Sequence, residues 1–143
     1  MSEHNDNKSA KFDEFFSISY PFNVNATIIN TDSPLSYQAF INTMPMPFKM
    51  ASEIITLAQA ALRPLQTLGS VAGQLVDYLH HQAQKIDLLV GYILSEQDNE
   101  KQRYQGTHFG GGGVIFSSKS NFIVGQFIEL KIFLLDDNCA IYC

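Results

Sequence analysis

The chain has 143 residues, a formal net charge of -5, and 45% hydrophobic but only 16% charged residues, against about 25% charged in an average soluble domain. Wholesale disorder is excluded, because it needs a more polar and more charged chain, and no apolar run approaches the ~20 residues of a membrane span. The 9 basic residues, only two of them arginine (Arg63 and Arg103), are scattered; a nucleic-acid polymer would need them clustered, so the apolar surplus points to partners that bury apolar surface.

The N-terminus, MSEHNDNKSAKFDEF, lacks an apolar core and does not read as a secretory signal. Residues 1–14 read as a flexible, solvated tail, and 15–47 as an extended N-terminal arm containing a strand. FFSISYPFNVNATIIN at 15–30 is rich in β-branched and aromatic residues with short alternation. Pro21 argues for an edge strand or an interrupted one. TDSPLSY at 31–37 reads as a loop, and MPMP at 44–47 as a stiff extended connection.

Residues 48–98 read as a helical oligomerisation segment. Ala, Leu, Gln, Glu and Lys dominate, and Pro64 interrupts them. A proline removes one helical hydrogen bond and usually kinks or breaks the helix. One helix is therefore expected near 49–62 and a second over 64–97, about 50 Å long. With Leu65 at heptad position a, the seam holds Leu65, Leu68, Ala72, Leu75, Leu79, Gln82, Ile86, Leu89, Ile93 and Glu96. Positions e and g add Val76, Ala83 and Val90, and Val71, Tyr78 and Tyr92, with Lys85 the one charge among them. That stripe is too wide for a two-stranded seam and fits a bundle of three or four helices. We read it as an interface between chains, with Gln82 as a polar seam residue that fixes register. The alternative is a helix folded back on 49–62 within one chain, but only Arg63 and Pro64 would then make the turn.

From Arg103 onward the pattern is β. Strands are expected at Tyr104–Phe109, Val114–Ser117, Gln126–Leu134 and Ala140–Cys143, separated by the glycine run, Lys119–Asn121 and Asp136–Asn138. In the third of these, Phe127, Glu129, Lys131 and Phe133 share one face, and Ile128, Leu130, Ile132 and Leu134 the other. An aliphatic face of that kind belongs to a layered or closed sheet. FGGGGV at 109–114 is followed by strand residues, whereas phosphate and dinucleotide loops need a helix next. A tight bend using positive φ explains it best, with close approach to a ligand as the alternative. His80 and His81 are adjacent, not i,i+4, so they do not form a helical zinc pair. Cys139 and Cys143 are about 13 Å apart if both lie in one strand, too far for a mutual disulfide, and read as reduced, core-filling residues. No nucleophile, base or paired-carboxylate spacing asks for catalysis, so the chain is read as a non-enzyme.

A strand, a Gly-rich bend, GGGVIFSS and then GQFIELKIFL together resemble a PilZ domain, the bacterial β-barrel that reads cyclic di-GMP. Gly125–Leu134 matches the family's GxxIxLxIxL-like strand, and the likeness covers 103–143. With the FFSIxYPFxVN-like arm and the heptad helix, the chain is similar to an atypical, tetramer-forming branch of that family. The resemblance implies an α+β fold: a long heptad helix, as a coiled coil or four-helix bundle between chains, followed by a partial PilZ-like antiparallel barrel. It implies a cytoplasmic bacterial signalling adaptor in cyclic di-GMP pathways, a homo-oligomer with a protein partner. By alignment with the family's binding motifs, Lys101, Arg103, His108, Gly110 and Gly113 stand where ligand contacts would be. His108 replaces the Asp/Asn and Gly110 the Ser, while Arg103 alone stands for the RxxxR pair. Weak or absent cyclic di-GMP binding is therefore expected. The alternatives are a receptor that uses altered contacts and a purely structural oligomerisation protein. A barrel of about six strands also needs more than these residues supply. Either the arm completes the sheet or the chain is a C-terminally truncated piece, and the second is the reading adopted.

Overall fold

The computed structural model describes residues 10–12, 17–65, 67, 69, 73–134 and 139–143. Its elements are β1 (Ser17–Ile29), α1 (Tyr37–Thr43), α2 (Met46–Leu65), α3 (Gly73–Ser95), a 3-10 turn (Glu100–Gln102), β2 (Arg103–Gly110), β3 (Gly113–Ser117), β4 (Phe127–Leu134) and β5 (Cys139–Tyr142). The fold is α+β. The strands form one antiparallel sheet in the order β3-β2-β1-β4-β5. The sheet is open, with β3 and β5 as its edges.

β1 is the central strand, not an edge. Pro21 is tolerated there because the strand is interrupted around it. Pairing with β2 runs to Ser19↔His108 and resumes at Phe22↔Gly106, so Tyr20 and Pro21 stand opposite Thr107 alone. Pairing with β4 starts only at Asn23, so the missing N–H of Pro21 falls in a bulge. Gln105 Nε2 donates to the Phe22 carbonyl at 3.0 Å across the same irregularity.

The two faces of the sheet are packed differently. Phe22, Val24 and Ile132 are buried on one face. Val114 and Phe116 of β3 and Ile141 of β5 pack on this same cluster, so both edge strands contribute to one core. Phe22 lies directly over Gly106: a Cβ added there would come within 2.1 Å of its ring. On the opposite face Phe133 is buried with Phe48 and Ala51 of α2 and Leu94 of α3. The Phe48 ring lies 6.2 Å from Phe133 and 5.7 Å from Tyr142, centroid to centroid. The expected aliphatic face of β4 is thus in the first core, and its other face carries a helical layer.

Several expectations change. The 44–47 connection is not extended throughout, because α2 already begins at Met46, and a proline in a first helical turn sacrifices no intrahelical bond. Residues 37–43 of the expected arm are helical, capped by the Ser36 hydroxyl, which accepts from the Ala39 N–H at 3.2 Å. The second helix does not start at Pro64. Pro64 sits in the last turn of α2, where it cannot donate to the Ala60 carbonyl, and the helix ends one residue later. Its carbonyl accepts the Thr67 hydroxyl at 2.7 Å. Gly69, at φ +72°, takes up a conformation that favours glycine within the connection. α3 is therefore 23 residues, about 35 Å, not 50 Å, and α2 folds back beside it. Most of the 1–14 tail and the Asp136–Asn138 turn lie outside the described residues.

Candidate functional site

The structure strings out the expected ligand residues along β2 and does not gather them. Lys101 is exposed in the 3-10 turn, and Arg103 opens the strand. His108 lies five residues on, about 16 Å along an extended chain. It is half-buried, with Nδ1 3.0 Å from the Thr107 hydroxyl. Gly110 and Gly113 pair across the Gly111–Gly112 turn, at the end of β2 away from the two cations. The glycine run is therefore the tight hairpin expected of it, with φ +154° at Gly113. Open space surrounds a Cβ at Gly111 or Gly113.

Arg103 is engaged by a polar hub absent from the expectations. Its Nε lies 3.0 Å from each oxygen of Asp98, whose side chain is 6% exposed. Asn23 and Asn25 donate their amides to the same carboxylate at 3.0 and 2.7 Å. Asn25 is buried, and its Oδ1 accepts the Asn99 N–H. Asn99 in turn caps the 3-10 turn by accepting the Lys101 N–H at 3.0 Å. The hydrogen bond from Arg103 to Asp98 holds the guanidinium pKa above its ordinary value. The hub pins the exit of α3 to the central strand. Its sequence signal was present: Asn23 and Asn25 alternate with Phe22, Val24 and Ala26, which places two amides on one face of a strand that is otherwise core.

The seam residues occupy a second region. α3 packs inward through Val90 and Leu94, with Val76, Leu79 and Ala83 half-buried along the same stripe. The exposed part of the heptad seam is rotated about a quarter of a turn away from that stripe. Leu75, Ile86, Leu89 and Ile93 are exposed, as are Tyr78 and Tyr92; Leu89 and Tyr92 each retain 65% of their surface. Leu65 and Gln82 are half-buried, and Leu68 lies outside the described residues. The wide apolar stripe of the sequence is thus two stripes. Position e, with Leu79 and Leu94, serves the fold of the chain, while most of a, d and g faces outward. Both His80 and His81 are on exposed surface.

Between α2, α3 and β5 lies a cleft of about 540 Å³ floored by Ala51, Val90, Leu94 and Ala140. Among the described residues no three His, Cys, Asp or Glu side chains group as metal ligands, and no helix is long and apolar enough to cross a membrane. Compared with protein families, curated proteins and solved structures, the chain matches no family model, no curated protein and no solved structure.

Proposed function

We propose that the protein is a non-enzymatic adaptor of the PilZ type, acting in cyclic di-GMP signalling and assembling into a homo-oligomer, a tetramer, through α3. The observation that carries this reading is the exposed outer stripe of α3. Large apolar side chains at Leu75, Tyr78, Ile86, Leu89, Tyr92 and Ile93 are exposed on one face of the helix, interrupted by Gln82 and Lys85, and exposed apolar surface of this extent marks an association site. One further feature supports the family assignment: the glycine hairpin followed by the Gly125–Leu134 strand in an antiparallel sheet. The adaptor role, rather than ligand reading, is supported by the separation of Arg103 from the glycine hairpin and by its engagement with Asp98.

Light scattering after gel filtration tests the assembly. A mass that is a multiple of 16.0 kDa is expected, and a strict monomer at tens of micromolar refutes it. Calorimetric titration with cyclic di-GMP tests the adaptor role; saturable micromolar binding would replace it with a receptor.

A further inference from the structure

A second cleft, of about 430 Å³, opens where the end of β1, α1 and the β4–β5 edge meet. Its size falls within the range of about 300–1,000 Å³ usual for small-molecule sites. Aromatic rings supply much of its wall: Tyr37, Phe40, Phe127 and Tyr142. Phe40 and Tyr142 stack with centroids 5.3 Å apart. Tyr37 is 79% exposed at the mouth.

One charged side chain, Glu129, lines this wall. It is half-buried. Its Oε2 accepts the Tyr142 hydroxyl at 2.9 Å, and Oε1 accepts no hydrogen bond from the described residues. The one ion pair among the described residues is Arg103–Asp98, so Glu129 lacks a cation. Lys131 sits two residues along the same strand face and forms no ion pair with it in the described structure. A carboxylate partly withdrawn from water and given one neutral donor is incompletely compensated. Ring faces around it attract cations within about 6 Å of their centroids. Carboxylate and rings together select one chemistry, a positive charge carried on an apolar body.

We propose that this cleft binds a small organic cation, an ammonium group on an aromatic or alkyl body, with the charge at Glu129 and the body against Phe40, Tyr142 and Tyr37. The site is independent of the assembly face on α3.

The test is an NMR titration of the full chain with phenethylammonium and, separately, with neutral 2-phenylethanol. The ammonium is expected to shift the amides of Leu35, Tyr37, Glu129 and Tyr142 saturably, and the alcohol to bind at least about tenfold more weakly. Glu129→Gln should weaken the ammonium by about tenfold and leave the alcohol unchanged. Tyr37→Ala, at an exposed position that does not threaten folding, should weaken the ammonium several-fold. Equal binding of ammonium and alcohol overturns the proposal, as does no saturation below about 10 mM or indifference to both substitutions.

Discussion

Asp98 joins two amides of the central strand to the first residue of β2, and so holds the end of a helix against the sheet. Its carboxylate is nearly dry, whereas the Arg103 side chain is 36% exposed. The two ends of this ion pair should therefore respond unequally to truncation. Asp98→Ala leaves two amides and a guanidinium short of an acceptor and should cost about 2–3 kcal/mol in urea unfolding. Arg103→Ala removes a partly solvated partner and should cost less than about 1 kcal/mol. Equal losses would reduce the hub to an ordinary surface pair. Gly106 is constrained differently. A methyl there collides with the Phe22 ring, which is 1% exposed and has no free space to retreat into. Gly106→Ala should destabilise by about 1–3 kcal/mol. Adding Phe22→Leu should recover part of that loss, because the two nearest colliding ring atoms, Cε2 and Cζ, are then gone. Tyr142 carries a pH signature: burial raises its phenol pKa, and its hydrogen bond to Glu129 adds to the rise. A folded-state pKa above the unfolded one stabilises the protonated form. That contribution is complete below the ordinary tyrosine value of 10.0 and is lost as pH climbs through the raised one. Ultraviolet titration should show one late phenolate that disappears in Tyr142→Phe.

At the scale of elements, α3 has a buried face and an exposed one, and one substitution on each tests the roles proposed for them. Leu94 is 4% exposed against the sheet and α2, and Leu89 is 65% exposed on the outer stripe. Leu94→Glu buries a charge in the core and should unfold the protomer. Leu89→Glu should leave the thermal unfolding of the protomer within about 0.5 kcal/mol yet break the assembly. If Leu89→Glu leaves the association state unchanged, the outer stripe is not the interface. The strands and the helical stretch were legible in the sequence because their periods are local: β2 to β5 fall within a residue or two of the alternation. The end of the first helix was legible too, since α2 stops one residue beyond Pro64, but the start of α3 at Gly73 was not, because a proline marks where a helix breaks and not where the next resumes. The heptad likewise named apolar positions without saying which stripe α2 would cover. That choice depends on the sheet beneath, through Phe133 and Ala140. Asp98 carries no local signal, because its partners Asn23 and Asn25 lie more than 70 residues away in the chain.

For the whole molecule, the area of the outer stripe sets what can assemble. Leu75, Tyr78, Ile86, Leu89, Tyr92 and Ile93 are each 43–65% exposed. Covering them removes on the order of 100 Å² apiece, or about 600 Å² per chain. A stable interface takes about 600–1,000 Å² per partner, so this stripe reaches the minimum for one pairing and not for two. The proposed tetramer then needs a second contact. The outer face of α2 offers one, with Met46, Met50 and Leu57 exposed at helical spacing. Dissociation should therefore occur at two levels. Leu57→Glu should stop assembly at a dimer, because it removes only the second contact. Leu89→Glu should yield a monomer, because the first contact is the larger. Light scattering on the two variants at equal concentration distinguishes these masses. A tetramer that survives Leu57→Glu would place both contacts on α3, and the area argument would then have failed.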